Sequence, residues 1–310
     1  MQIDEELARL SPEKDTLLTI GVFDGVHLGH KHLLSQLTEE AKRRNLLSGV
    51  VTFRQRPRQV LSPRSKLSLL TDIDRRIALL KSEGVEVIAI LSFTSELAQL
   101  SASQFVSLLK KYLRMKGLVI GPDFALGRNR EGNIDTLRKL GEDMNFTVTV
   151  IPPVMINGEV VSSTAIRKAL ADGDTKRAVS LIGRPFSLYG QVITGVGRGT
   201  KLGFPTANLA IDSKQALPAD GVYATWAYID GKAYPSMTNI GKRPTFGDNK
   251  RIVEVYVLDY LNNLYGRELK IDIIGRLRGE KRFDNAEELK RQIAEDIKQG
   301  KTILSAQGGN

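Results

Sequence analysis

The sequence of 310 residues contains no cysteine and only three histidines. The absence of cysteine excludes disulfides, thiolate nucleophiles and thiolate metal sites, so any chemistry must come from carboxylates, hydroxyls, imidazoles and the backbone. No run of about 18 apolar residues occurs, which argues against a membrane-spanning helix. The first ten residues, M-Q-I-D-E-E-L-A-R-L, are too acidic and polar for a signal peptide. We therefore expect a cytoplasmic protein without a membrane partner.

Charge is spread along the chain rather than concentrated. The 45 basic and 35 acidic residues leave a formal net charge of +10, but no block of five or six like charges occurs. Short basic groups such as Arg75-Arg76 fall within predicted helices, a pattern typical of solvated helix faces. We expect no nucleic-acid partner on this basis, and the sequence does not indicate an oligomeric state.

The length favours two domains, since a single hydrophobic core stops growing below this size. In the first half, short apolar runs alternate with amphipathic stretches whose apolar residues recur at spacings of three and four. Near-continuous apolar strands separated by helices predict an α/β domain with a parallel sheet covered on both faces. The predicted strands are 16–23, 48–53, 85–91, 117–121 and 147–152.

The second half of the chain has a different sequence pattern. Alternating runs separated by glycine and proline predict consecutive antiparallel strands, which form a barrel or a sandwich. Asp230-Gly231 lies between two such runs and predicts a tight hairpin. A helix over 286–297 should close or brace this structure. We place the domain boundary near residue 185, giving domains 1–184 and 185–310.

All three histidines fall in one short segment, 27–32. The first predicted strand leads into G-V-F-D-G-V-H-L-G-H (21–30) and then directly into a helix. A helix N-terminus after a glycine-bearing turn presents free N–H groups to an anion, and ligands bind at the carboxyl ends of strands in open α/β sheets. His27 and His30, with Gly29 between them allowing close approach, can donate hydrogen bonds to phosphate oxygens. A phosphate site is the interpretation that fits best.

Two other interpretations remain open for this segment. Three close histidines could bind a metal, with an aspartate completing the coordination. They could also be ordinary helix residues, which is our preferred interpretation for His32.

The spacing H-L-G-H after G-V-F-D-G-V resembles the HxGH signature of the nucleotidyltransferase superfamily. That resemblance implies that ATP binds over the motif while the histidines stabilise charge on the triphosphate. Class I aminoacyl-tRNA synthetases carry a related motif, so the motif alone indicates adenylyl transfer without naming the acceptor.

Two further segments narrow the choice of acceptor. G-P-D-F-A-L-G-R-N-R-E-G-N (121–133) follows the fourth predicted strand, where a substrate loop belongs. In V-S-S-T-A-I-R (161–167), Ser163 or Thr164 can cap a helix and Arg167 can reach a phosphate. Together with the histidine segment, these motifs closely resemble the FMN adenylyltransferase module of bacterial bifunctional riboflavin kinase/FAD synthetases. The resemblance implies a Rossmann-like nucleotidyltransferase domain.

This resemblance also implies roles for particular residues. The residues implied to bind ATP or its phosphates are His27, His30, Gly21, Phe23, Asp24, Gly29, Asp123, Ser163, Thr164 and Arg167. The residues implied to bind the flavin are Phe53, Pro57, Phe124 and Arg130. After the second strand, T-F-R-Q-R-P places Arg54 and Arg56 where the family usually has an acidic residue and a Pro-His-Pro-like turn.

The second half has a polar site of its own. G-V-G-R-G-T-K-L-G-F-P-T-A-N-L (195–209) joins a glycine-bearing loop to a strand. Alternation in that strand puts Thr206 and Asn208 on the same side, where their oxygens suit Mg²⁺ beside ATP phosphates. P-T-A-N resembles the signature of riboflavin kinase, and later segments match that family in order.

By this second resemblance Glu254 is the catalytic general base, Gly197, Lys201 and Gly203 contact ATP, and Arg276 contacts the flavin. The sequence thus predicts a two-domain enzyme that phosphorylates riboflavin to FMN with Mg²⁺-ATP and adenylylates FMN to FAD. Riboflavin, FMN and FAD are its substrates and products. Two alternatives are a kinase with weakened adenylyltransferase activity, and a flavin- or RNA-binding regulatory protein.

Overall fold

A computed structural model describes residues 2–55, 57, 60, 68–195, 199, 202–242 and 251–306. The chain forms two compact units, Met1–Ser163 and Thr164–Asn310. Our boundary near residue 185 stays a prediction. The segment 164–184 groups with the second unit by its contacts.

The first unit is built on a parallel sheet, as predicted. Its five strands, within the described residues, are β1 Thr16–Ile20, β2 Leu47–Phe53, β3 Val87–Leu91, β4 Met115–Ile120 and β5 Thr147–Val150, in the order β3-β2-β1-β4-β5. Its helices are α1 Gln2–Ala8, α2 Leu28–Arg43, α3 Ile73–Ser82, α4 Ser95–Gln99, α5 Ala102–Leu113 and α6 Ile134–Met144. A small hairpin follows, with β6 Met155–Ile156 and β7 Glu159–Val160.

Alternation along β1 divides the core of this unit into two layers. Leu17 faces a cluster that includes Leu34 of α2 and Leu80 of α3, whereas Leu18 faces a cluster that includes Leu109 of α5. The sheet is therefore covered on both faces. Strand order reverses between β1 and β4, so the loops that follow these two strands open the crevice in which open α/β sheets bind ligands.

The second unit contains a closed antiparallel barrel, which decides between the predicted barrel and sandwich. In its described part the strands are β8 Phe186–Ile193, β9 Ala207–Ala210, β10 Gly221–Ile229, β11 Lys232–Lys242, β12 Arg251–Val257 and β13 Glu268–Arg278, in the closed order β10-β11-β12-β9-β8-β13. The helices α7 Ser163–Asp172 and α8 Thr175–Ile182 precede it, and α9 Ala286–Ala306 follows it.

Local sequence explains the barrel's turns and faces. The predicted hairpin is confirmed: Ile229 pairs with Lys232, and Asp230 and Gly231 between them have positive φ, as a two-residue hairpin turn requires. Along β12, Val253, Val255 and Val257 are buried, whereas Glu254 and Tyr256 alternate with them on the other face. That outer face carries the polar groups that matter below.

The C-terminal helix α9 braces the outside of the barrel. Leu304 of α9 belongs to one buried cluster with Met237 of β11 and Ile274 of β13. No helix in the described ranges is long and apolar enough to cross a membrane.

Candidate active sites

The turn after β1 holds two residues in backbone conformations that cost free energy. Phe23 has a φ of 51° and Val26 a φ of 38°, in the left-handed region that is unfavourable for bulky and for β-branched residues. Both side chains are buried, at 2% and 0% exposure. Packing thus holds a strained turn of the kind often found where a protein positions a ligand.

His27 is the residue that begins helix α2. Its Nδ1 accepts a hydrogen bond from the backbone N–H of His30 at 3.3 Å, the role that Ser, Thr or Asp usually fills at this position. Because Nδ1 accepts, the neutral imidazole carries its proton on Nε2 and can donate from there. Gly29 lies between the histidines, where a Cβ would come within 3.1 Å of the carbonyl oxygen of Val161.

The two imidazoles stack on each other. The ring centroids of His27 and His30 are 3.6 Å apart with an interplanar angle of 18°, and the ring of Phe23 lies 5.0 Å from that of His30. Burial, followed by the neighbouring His27 and Arg76, lowers the pKa of His30 well below 6.5. His30 is therefore neutral at neutral pH and interacts with an anion as a hydrogen-bond donor rather than as a cation.

Asp24 is the carboxylate that holds this turn in place. It is 2% exposed, and its oxygens accept the backbone N–H groups of Leu70 at 3.0 Å and Thr71 at 3.1 Å. The carbonyl oxygen of Asp24 accepts the Ser163 hydroxyl at 2.8 Å. The assignments of Gly21, Phe23, Asp24 and Ser163 to ATP stay predictions, and the contacts described here brace the turn.

Arg76 lies near this turn. We predicted that it would be on a solvated helix face, and that prediction is wrong. It lies on α3 with 1% exposure, and its Nη1 donates to the carbonyl oxygen of Phe53 at 3.0 Å. Burial lowers its pKa, while Asp24 and Asp72 act in the opposite direction. The spacing of Arg76 from the buried Leu80, four residues on, was the available signal that it faces the core.

The loop after β4 forms a cleft of about 450 Å³. Asp123, Phe124 and Arg130, all predicted site residues, line it together with Asn133 and Asp135. The Nη2 of Arg130 donates to the carbonyl oxygen of Asp123 at 2.9 Å. The structure thus brings three predicted residues together at the carboxyl end of β4, the strand beside β1 and its histidine-bearing turn 21–30.

The other predicted residues of the adenylyltransferase site have different surroundings. The Phe53 ring is 8% exposed and packs edge-on against Phe93, with 5.4 Å between centroids, while Pro57 is half-buried. Thr164 is exposed and Arg167 half-buried, and both belong to the second unit. Their assignments to flavin or phosphate stay predictions.

In the barrel, strand pairing brings three polar side chains side by side. Glu254 of β12 lies directly opposite Asn208 of β9 on one side and opposite Asn239 of β11 on the other. All three are half-buried. Directly opposed residues on one face of a sheet have their Cβ atoms about 5 Å apart. We did not single out Asn239 from the sequence, because only strand register shows that it neighbours Glu254.

Two described glycines of the segment between β8 and β9 lie close to the polar groups at the start of β9. A Cβ on Gly195 would overlap the Asn208 amide, at 2.0 Å from Nδ2, so the backbone passes directly over that side chain. At Gly199, a Cβ would lie 3.1 Å from the Thr206 hydroxyl. Tyr256 contacts the ring of Phe204 edge-on, with 5.7 Å between centroids.

The remaining predicted residues of the kinase site differ in how they are placed. Gly203 has a φ of 89° and open space around it. Gly197 and Lys201 lie outside the described residues. Arg276 is exposed, and its Nη2 donates to the carbonyl oxygen of Asp220 at 2.7 Å. Its contact with a flavin stays a prediction.

No group of three or more His, Cys, Asp or Glu side chains that could hold a metal ion occurs in the part of the chain that the structure describes. Thr206 and Asn208 offer a hydroxyl and an amide oxygen, which are donors of the type that Mg²⁺ prefers.

Comparison with known families matches each half of the chain to an enzyme family. A model of FAD synthetase matches residues 10–165, and a model of riboflavin kinase matches residues 182–304. The α/β unit with its histidine-capped helix thus corresponds to the FAD synthetase family. The closed barrel with its paired Glu and Asn corresponds to the riboflavin kinase family.

Full-length relatives agree with this assignment. The bifunctional riboflavin kinase/FMN adenylyltransferase of Escherichia coli (strain K12) is 39% identical over 288 residues, covering 92% of each chain. The protein of the same description from Pseudomonas fluorescens is 38% identical over 308 residues, covering 98% of each. The chain belongs to this family of bifunctional riboflavin kinase/FMN adenylyltransferases.

A solved structure also matches both units. It is described as a macrolide-efflux protein from Streptococcus pneumoniae, with a TM-score of 0.89, 30% identity and coverage of 97% of each chain.

We predict that His30 makes stability depend on pH in a definite direction. Because burial lowers its pKa well below 6.5 in the folded protein, unfolding takes up a proton once the pH falls below that value. The free energy of unfolding should therefore decrease as the pH falls through about 6.5, and less steeply in His30→Asn. Urea titrations at several pH values measure this. His32→Asn is the control, and equal slopes in His30→Asn and the unmodified protein would contradict the prediction.

Proposed function

We propose that the barrel phosphorylates riboflavin to FMN and that the α/β unit adenylylates FMN to FAD. Family membership supports both reactions. The observation that carries the residue-level proposal is that each unit groups polar side chains where its fold can hold a nucleotide. In one unit these are two stacked imidazoles at a helix N-terminus, and in the other a carboxylate directly opposite an amide.

In the α/β unit, the triphosphate of ATP lies against the N-terminus of α2. The Nε2–H groups of His27 and His30 and the free backbone N–H groups of the helix donate to its oxygens. A phosphate oxygen of FMN attacks the α-phosphorus, the bond to the bridging oxygen breaks, and pyrophosphate leaves. The N–H donors of the two imidazoles stabilise the charge that builds up on pyrophosphate. Catalysis needs no covalent enzyme intermediate and consists of positioning and electrostatic stabilisation.

The cleft after β4 holds the rest of the substrates of adenylyl transfer. Asp123 lies at the nucleotide or flavin end, while Phe124 and Arg130 contact the flavin. β1 and β4 are neighbours at the point where strand order reverses, which supports a shared crevice for ATP and FMN.

In the barrel, Glu254 is the general base. Its carboxylate takes the proton of the terminal ribityl hydroxyl of riboflavin as that oxygen attacks the γ-phosphorus of ATP, and ADP leaves. Asn208 next to Glu254 orients the attacking group and the phosphates. Gly203 contacts the nucleotide, and Gly197 and Lys201, which lie outside the described residues, keep the same predicted role.

The kinase site would hold Mg²⁺ together with ATP. The Thr206 hydroxyl and the Asn208 amide oxygen would hold it, with the Glu254 carboxylate nearby. When bound, it neutralises negative charge on the phosphates of ATP.

The two reactions are tested separately by giving the protein riboflavin or FMN, each with Mg²⁺ and ATP. We expect FMN and FAD from riboflavin, and FAD and pyrophosphate from FMN, by chromatography of the products. Formation of FMN without FAD would favour the alternative of a kinase with weakened adenylyltransferase activity. Absence of both products would refute the proposal and favour a binding protein.

Replacing the general base separates the two activities. Glu254→Gln should lower the rate of FMN formation by about 10²- to 10⁴-fold, because the ribityl hydroxyl loses its proton acceptor. FAD formation from added FMN should be unchanged. Glu268→Gln, on the exposed start of β13, is the matched control and should keep both rates. Loss of both activities in Glu254→Gln would undo the assignment of two separate sites.

Replacing His30 should have the opposite effect. His30→Asn is expected to slow FAD formation by about 10²- to 10³-fold, since a donor to the departing pyrophosphate is lost, and to leave FMN formation intact. His32→Asn, two positions along the same helix, is its control. Full adenylyltransferase activity in His30→Asn, measured as pyrophosphate release, would exclude the proposed role.

A further inference from the structure

Three polar side-chain atoms are buried without a hydrogen-bond partner among the residues that the structure describes. They are the hydroxyl of Thr19, Nδ1 of His30 and Nε of Arg76. Buried polar groups are almost always paired, so a group of unpaired ones calls for a functional explanation. Thr19 alternates with Leu18 and therefore faces the same layer as Leu17, beneath α2.

His30 and Arg76 occupy equivalent places on two helices of that layer. His30 precedes Leu34 by one turn on α2, and Arg76 precedes Leu80 by one turn on α3. Both leucines belong to the same buried cluster. The hydrogen bond from Arg76 to the carbonyl oxygen of Phe53 puts its guanidinium at the carboxyl end of β2. Both polar side chains thus lie at the carboxyl ends of the strands, near the turn 21–30 that carries His27 and His30.

The charge of neighbouring groups decides whether a buried imidazole directs a lone pair or an N–H into the protein interior. Among the described residues, His27 and Arg76 are the titratable groups that, after burial, lower the pKa of His30. The strands beneath α2 contribute apolar side chains to this layer, namely Leu17, Val50 and Val119. A guanidinium in a medium of low dielectric constant attracts a nitrogen lone pair and repels an N–H. The buried Nδ1 of His30 therefore favours its lone pair.

We propose that Arg76 is a positioning residue for adenylyl transfer, whose buried guanidinium holds His30 with the lone pair of Nδ1 directed inward and the N–H at Nε2. Arg76 does not touch the substrates and acts through His30. The proposal rests on the proposed function of the turn 21–30 as the triphosphate site. It adds the reason why the imidazole presents a donor rather than a lone pair to the phosphates.

Nitrogen-15 NMR tests the tautomer without reference to activity, and a chain with three histidines gives three imidazole patterns to assign. In the unmodified protein at pH 6.5 we expect His30 to be neutral with its proton on Nε2. In Arg76→Met we expect the Nδ1–H tautomer to appear and the His30 pKa to rise. Arg76→Lys keeps a cation and should keep the tautomer. Arg75→Met, on the half-buried neighbour that pairs with Asp72, is the control.

Several outcomes would overturn the proposal. An Nδ1–H tautomer of His30 in the unmodified protein would do so even if Arg76→Met does not fold. Unchanged His30 signals in Arg76→Met would do so as well, as would the same change in Arg75→Met.

Kinetics give a second measurement. In Arg76→Met, kcat for FAD formation from FMN should fall by about 10-fold or more, with partial recovery in Arg76→Lys, while the KM for ATP changes little. Riboflavin phosphorylation by the same variant should be unchanged, and the unchanged KM for ATP in FAD formation shows that the α/β unit itself is folded. An unchanged kcat for FAD formation would overturn the proposal. If the unmodified protein forms no FAD but shows the expected tautomer, the proposed function fails while the effect of Arg76 on His30 stands.

Discussion

The contacts of the Asp24 carboxylate with the backbone N–H groups of Leu70 and Thr71 are the interaction on which the α/β site depends. They tie the strained turn after β1 to the segment that starts α3. The turn contains Phe23 and Val26 and leads into the imidazoles at the start of α2. The buried Arg76 lies on α3, which follows Thr71 in the chain. The backbone N–H of Gly25 also donates to the Thr71 hydroxyl at 3.0 Å, so a second hydrogen bond joins the turn to this segment.

In the barrel, the corresponding constraint is strand register. Because β12 pairs with β9 and β11 at once, Glu254 has an amide side chain on either side of it. A shift by one residue would turn Glu254 into the barrel, where Val253 and Val255 now lie, and would bury an unpaired carboxylate at a large cost in free energy. The apolar interior of the barrel thus holds the polar groups on its outer face.

The two candidate sites contain different kinds of polar group. The α/β unit presents imidazole N–H donors from a helix end, and in the proposed reaction charge moves onto a leaving pyrophosphate. The barrel presents a carboxylate beside oxygen donors, which suits deprotonation of an alcohol next to a metal–nucleotide complex. Each chemistry follows from the types of side chain that its fold brings together.

Much of this could be predicted from the sequence alone. Periodicity and turn residues determined the two fold types, the strand that leads into the histidine turn and the Asp230-Gly231 hairpin, because these depend on residues close together in the chain. Only the tertiary structure decided that Arg76 is buried, that Asp24 braces a turn and that Asn239 neighbours Glu254. Burial and register are set by segments far apart in sequence, so a pattern read along the chain cannot show them.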